Sequence, residues 1–181
     1  YDGSYTERAP THNTIAAFTR NVIGPMDYTP CTFSNNRHPH KTTYGHELAL
    51  SMVFESGIQH MADQAKSYLS LPEAPKNFLK VLPAAWDETR FIAGIPGETG
   101  VIARRKGDDW YLGGINGTSV NRGIQIETDF LDSGRDYDMT MITDGGQPET
   151  FHTENRNISN GQSFQVSLKA NGGFVARLEA E

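Results

Sequence analysis

Cysteine is almost missing. Cys31 is the only one in 181 residues, so neither an internal disulfide framework nor a CxxC zinc site can form, and thiols say nothing of the redox compartment. No apolar run approaches the roughly 20 residues that a membrane-spanning helix needs. Positive charge is scarce as well, with 16 Lys and Arg against 22 Asp and Glu and a net charge of −6. The densest basic run is "ARRK" at 103 to 106, which excludes a general nucleic-acid binder, because neutralising phosphates takes clustered cations. A GxSxG nucleophile elbow, a P-loop, a strand-linked GxGxxG and HExxH are absent, and with them the chemistry those motifs carry. The first residue is Tyr1, not Met, so a processed or excised piece of a longer chain is expected.

What is there divides into two periods. Residues 11 to 83 carry helical spacing. In "THNTIAAFTRNVIGP", Ile15, Phe18 and Val22 form one apolar stripe behind Thr11 as the expected N-cap, and Gly24 and Pro25 end the helix. The short "MDYT" between two prolines reads as a strand running into a loop. "KTTYGHELALSMVFESG" is a second helix, apolar on most sides, "SGIQHMAD" a second strand and "PEAPKNFLKVLP" a third helix. Helices alternating with short strands point to parallel βα units. Two such strands cannot make a sheet buried on both faces, so residues 1 to 83 are expected to be the end of something larger, a barrel or open α/β sheet.

After a linker at 84 to 90 the period becomes two. Ile124, Ile126, Thr128 and Phe130 alternate with polar residues, as do Phe164, Val166 and Leu168. Turn clusters such as "KGDDW", "DGGQPE" and "SNGQS" punctuate the rest. Residues 91 to 181 therefore read as seven or eight antiparallel strands in a β-sandwich.

Asp27 and Tyr28 are the first candidate site residues, because functional groups in a barrel stand where a strand ends and its loop begins. Asp27 can equally be a simple turn former. His60 and Asp63 lie on or after the second strand and are candidates to line the same pocket. His38, His40 and His46 lack a metal-ligand spacing and read as solvated or helix-capping. Sugar-cleaving enzymes need two carboxyl groups at a set separation; Asp2, Glu7, Asp27 and Asp63 lie near suitable elements, but no pair stands out. Trp110 reads as core filler or as a contact between the halves. An alternative, a carbohydrate-binding module, requires Trp110 or Tyr111 to be exposed.

Several long stretches, "FTRNVIGPMDYTP", "HELALSMVFESGIQHMAD", "FLKVLPAAWDETRFIAGIPGETGVIARRKGDDWYLGGING" and "GGFVARL", resemble in that order the C-terminal quarter of glycoside hydrolase family 97. The resemblance implies the last βα units of a (β/α)8 TIM barrel over 1 to 83, followed by a C-terminal β-domain. It implies a bacterial, periplasmic or secreted enzyme that cleaves terminal α-linked glucose or galactose from oligosaccharides. It also implies that the catalytic carboxylates and the calcium ligands lie upstream, so that no catalytic or fully formed metal site belongs to this chain and the piece alone is inactive. The partners implied are an α-linked oligosaccharide, the remainder of the same enzyme chain and a possible second subunit; a purely structural or oligomerisation role is the alternative. One departure is Cys31, where many relatives carry glycine, so a different loop is expected there.

Overall fold

The computed structural model describes residues 3–29, 31–35 and 39–181. Asp2 and His38, both weighed above, lie outside the described residues. Among the described residues five helices come first and eight strands follow.

Helix α1 (Gly3–Phe18) begins a full two turns before Thr11 and runs through Pro10. Thr11 is therefore not its cap, and its hydroxyl instead donates to Gly117 O at 3.0 Å. A single turn, α2 (Arg20–Ile23), closes this segment. Helix α3 (Tyr44–Val53) is capped by Thr43, whose Oγ1 accepts from His46 N at 3.2 Å. A short helix, α4 (Ala65–Leu69), has too few residues to show periodicity in the sequence; α5 (Glu73–Val81) buries Phe78.

Neither stretch read as a strand in the first half is one. Residues 25 to 29 and 55 to 63 are extended or bent, and they share one backbone bond, Met26 N to Glu55 O at 2.9 Å. Among the described residues no strand precedes Glu88, so the α/β expectation is corrected for this chain. The physical reason is that an extended segment becomes a strand only through a ladder, and no described neighbour offers one.

The strands are β1 (Glu88–Ile95), β2 (Thr99–Lys106), β3 (Asp109–Asn116), β4 (Arg122–Glu127), β5 (Asp136–Asp144), β6 (Phe151–Ser159), β7 (Ser163–Leu168) and β8 (Gly173–Ala180). All pair antiparallel, in a six-stranded sheet ordered β1-β2-β3-β8-β5-β6 and a two-stranded sheet β4-β7. Strand β1 begins inside the stretch read as linker. The expected alternation is present: Phe164, Val166 and Leu168 turn inward from β7 while Gln165 and Ser167 face water.

Two cores result. Between the sheets, Ile126, Phe164 and Val166 meet Leu112, Met139, Phe174 and Leu178, with Trp110 edge-on to Phe130 at 5.0 Å. On the other face of the large sheet, Tyr111, Ile115, Ile142 and Val175 meet Leu48, Met52 and Val53 of α3. Helix α3 can lie this close because Gly45 and Gly173 face each other: a Cβ on Gly45 would stand 2.5 Å from Gly173 O and 2.4 Å from Asp144 Oδ1. Asp144 fastens the contact by accepting from Gly45 N and Gly173 N, each at 3.0 Å. Burial raises its carboxyl above the usual range despite those bonds.

Arg104 ties the layers from the sheet side. Alternation on β2 sends Ala103 into the sandwich core and Arg104 toward α3, where its Nε and Nη2 donate to Met52 O and Val53 O, both at 3.1 Å. These are carbonyls of the last helical turn, which have no partner within the helix. Its Nη1 reaches Glu55 Oε2 at 3.1 Å and Thr89 Oγ1 at 2.8 Å.

Candidate functional site

A cavity of about 760 Å³ opens between α1, the segments 27 to 29 and 31 to 34, residues 40 to 42 and the first turn of α3. Asp27 and Tyr28 both line it, Asp27 exposed and Tyr28 half-buried. The Tyr28 ring is held edge-on to Phe54 at 4.7 Å, and its hydroxyl donates to Asn13 Oδ1 at 3.3 Å. Asn13 in turn bonds the Nε2 of His46 through its amide nitrogen at 3.1 Å. An amide nitrogen only donates, so this histidine is neutral at Nε2.

His46 is completely buried, and the reading of it as solvated is corrected. Burial pushes its pKa down to about 4, against the opposing charge of Glu47. A relay of Tyr28, Asn13 and His46 thus runs from the cavity into the core on α1 and α3.

His40 is also not a solvated residue. With its side chain 18% exposed, its Nδ1 lies 3.4 Å from Glu47 Oε1, and its Nε2 is 3.0 Å from Thr32 Oγ1. Glu47 further accepts from Thr42 Oγ1 at 2.6 Å and from Thr32 N and Oγ1 at 3.4 Å. Burial works against its ionisation, but the bonds from His40 and Thr42 outweigh this and hold the carboxyl below its usual range. Thr32, His40, Thr42 and Glu47 all line the cavity.

His60 and Asp63 are not brought to it. His60 is exposed and does not line the cavity. Asp63 organises the neighbouring loop: it accepts from Phe33 N and Ser34 N at 2.8 Å, Gln64 N at 2.7 Å, and the Ser34 and Ser67 hydroxyls at 3.0 Å. Five donors leave it no free lone pair for a sugar. Those bonds, led by Gln64 and Phe33, outweigh burial and keep its carboxyl below the usual range.

Cys31 departs less than expected. Its φ of 65° is the left-handed conformation that glycine adopts freely, so a glycine-type turn persists with a buried thiol that donates to Glu47 O at 3.2 Å. Trp110 and Tyr111 are 1% and 4% exposed, which removes the sugar-stacking platform required for a carbohydrate-binding sandwich.

Asn13, Thr32, His40 and Glu47 were not picked out from sequence. One signal was available for Glu47: a carboxylate on a helix apolar on most sides has to be paired. Among the described residues no group of three or more His, Cys, Asp or Glu side chains could hold a metal ion.

Comparison with known proteins follows the same lines. The profile of the family described as "Glycosyl-hydrolase 97 C-terminal, oligomerisation" matches residues 85–179. A protein of Streptomyces bingchenggensis named "Probable retaining alpha-galactosidase" is 40% identical over 166 residues, which is 91% of this chain and 25% of that protein. The "Retaining alpha-galactosidase" of Bacteroides thetaiotaomicron is 33% identical over 182 residues, 93% of this chain and 27% of that protein. The chain thus spans about a quarter of the curated relatives it matches. A solved structure of a glycoside hydrolase family 97 enzyme in complex with acarbose, from Pseudoalteromonas sp. strain K8, superposes with a TM-score of 0.87 at 32% identity, covering 95% of this chain and 29% of that one. A profile match over more than half of the residues, with relatives similar along nearly the whole length, makes this chain a member of the glycosyl-hydrolase 97 C-terminal family.

Proposed function

We propose that this chain is the non-catalytic C-terminal part of a glycoside hydrolase that removes terminal α-linked galactose from oligosaccharides with retention. The observation that carries the proposal is the unfinished edge formed by residues 24 to 29 and 55 to 63. They run side by side, joined by the Met26–Glu55 backbone bond and by Asn21, whose side chain bonds Glu55 N at 2.9 Å and Glu55 O at 3.0 Å. Ile23 and Ile58 beside them are 85% and 70% exposed. A single backbone rung between two extended segments and bare aliphatic side chains beside it together mark a surface made to be covered. The helical first half then packs against a (β/α)8 barrel that belongs to the rest of the enzyme, and the β-domain backs it through α3. The linker shrinks to the residues between α5 and β1.

In that setting Asp27 and Tyr28 face the mouth of the barrel from an extended loop and bind or orient the sugar. Two carboxyl groups supplied upstream carry the proton transfer and the nucleophilic attack expected of a retaining enzyme, and calcium, where the enzyme uses it, is held upstream too. Galactose is chosen over glucose because both curated relatives are named for it. Export to the periplasm or the medium suits an enzyme acting on oligosaccharides.

A second role follows from β1. It is an edge strand on which Phe91 and Ile95 are 60% and 58% exposed, with Phe18 edge-on to Phe91 at 5.5 Å. The register shift between Phe91 and Ala93 hinders strand addition. A second subunit would therefore meet this face through its side chains, in keeping with the oligomerisation named for the family.

The test is a chimera in which residues 1–181 replace the last quarter of the Bacteroides thetaiotaomicron enzyme. The chimera should hydrolyse a chromogenic α-galactoside, and the isolated chain should not. Activity of the isolated chain, or a folded chimera without activity, refutes the proposal.

A further inference from the structure

His40, Thr32 and Glu47 close a ring of two hydrogen bonds and one ion-pair contact at 3.4 Å, and a single protonation state satisfies all three. The Nδ1 of His40 faces Glu47 Oε1, a carboxylate that only accepts. Its Nε2 faces the oxygen of Thr32, whose own proton is directed to Glu47 Oε2. All three bonds exist together only when both ring nitrogens carry hydrogen, which is the imidazolium. A neutral ring must break one: either Nδ1 loses its proton against the carboxylate, or Thr32 turns its hydroxyl away from Glu47 to serve Nε2.

The charged surroundings agree. Glu47 faces His40 from α3 and Asp63 from the loop before α4. Lys41, the neighbouring cation, is drawn away by Glu7 at 2.9 Å. His46, next to Glu47 along α3, is neutral, and the Cys31 thiol is kept protonated by burial. Burial by itself would lower the His40 pKa, but the bond and charge of Glu47 outweigh it and the net direction is upward.

The ring members belong to separate pieces of the cavity wall. Thr32 holds segment 31 to 34, His40 and Thr42 hold 40 to 42, and both are clamped to the first turn of α3. We infer that the His40–Glu47 pair is a proton-dependent brace: with His40 charged it positions this wall for substrate, and loss of the proton loosens the wall and weakens sugar binding. His40 and Glu47 are positioning residues, acting through Thr32 and Thr42. The inference rests on the cavity being part of the sugar site proposed above.

The sign is fixed by the direction of the shift. A histidine whose folded pKa is raised contributes fully below its ordinary value near 6.5, and that contribution fades as pH rises through the folded value. The chimera's kcat/KM should therefore carry an alkaline limb above pH of about 6.5. His40→Gln should remove the limb and lower kcat/KM about tenfold at acid pH, mainly through KM, the scale of one charge-assisted hydrogen bond. Glu47→Gln should do the same, and the double variant should be little worse than either single one. His152→Gln, an exposed histidine on β6, should leave the profile unchanged. Thr32→Val, the gentler change if the others fold poorly, should move the limb to lower pH.

Hydrogen exchange of the chimera supplies a readout independent of turnover: amides of 31–34 and 40–42 should exchange faster at pH 8.5 than at pH 5.5, after correction for the intrinsic rate, and His40→Gln should abolish that difference. An alkaline limb that survives His40→Gln, single losses that multiply in the double variant, or wall amides indifferent to pH would each overturn the brace. An inactive wild-type chimera whose wall still loosens with pH would overturn the sugar-site proposal and leave the brace standing.

Discussion

Replacing Arg104 by methionine should unfasten the helical layer from the sheet. The side chain is 3% exposed and gives four hydrogen bonds, two of them to the last-turn carbonyls of α3. Methionine fills much of the volume but donates nothing, so Met52 O and Val53 O lose their partners in a dry interface. Breaking a buried ionic contact by removing one member costs about 3–5 kcal/mol. Glu55 keeps 34% of its side-chain exposure, so water solvates it again and the loss should fall near the lower end, about 3 kcal/mol. With a urea slope of about 2 kcal/mol per molar, the midpoint should drop by about 1.5 M. Urea unfolding of the 181-residue chain at low micromolar concentration, followed by tryptophan fluorescence, measures this directly. Trp86 packs against Tyr111 at the helix–sheet contact and Trp110 lies in the sandwich core, so both layers are reported. Arg104→Lys keeps the charge without the planar fork and should lose about half as much. A midpoint that moves by less than about 0.3 M in R104M would show that these carbonyls were not held by Arg104, and would refute the account of how the layers are joined.

Three further outcomes are expected. Because His46 is neutral with its pKa down near 4, stability should be full above the ordinary histidine value and fall by about 3 kcal/mol between pH of about 6.5 and 4; His46→Gln should flatten that dependence in unfolding measured across the range. Gly45→Ala places a methyl group against Asp144 and the Gly173 carbonyl and should cost about 1–3 kcal/mol by forcing α3 off the sheet, whereas Gly134→Ala, in open space but at φ 78°, should cost only its backbone strain of about 1–2 kcal/mol. Phe91→Asp should weaken self-association of the chimera at least tenfold in sedimentation, since burying a phenylalanine contributes about 1.5–3 kcal/mol; unchanged association would remove β1 as the subunit contact.

Alternation and turn chemistry are local properties, and they made the second half legible. Phe164, Val166 and Leu168 had one face to occupy, and the glycine-rich and asparagine-rich clusters had only turns to make. The family, too, was recognisable from long ordered motifs. Asp27 and Tyr28 line the cavity, although the strand end that singled them out in the sequence is not formed. The failures share one cause. "MDYT" and "SGIQHMAD" have strand-like sequence, but a strand is a relation between segments, and among the described residues they are joined by the Met26–Glu55 bond without forming a ladder. His40 looked like a loop residue because nothing in "RHPHK" says that Glu47, seven positions on, turns back to meet it. Asp63 looked like a pocket residue because a sequence does not reveal five donors converging on one carboxylate. Arg104 read as part of a basic run, and only the packing of α3 gives its charge a buried partner. The sequence by itself determined the helical character of α3 and α5, which second-half segments alternate and where they turn, since those depend on neighbours along the chain. Which polar groups meet, and therefore which of them are charged, was decided only when folding brought distant residues within hydrogen-bonding reach.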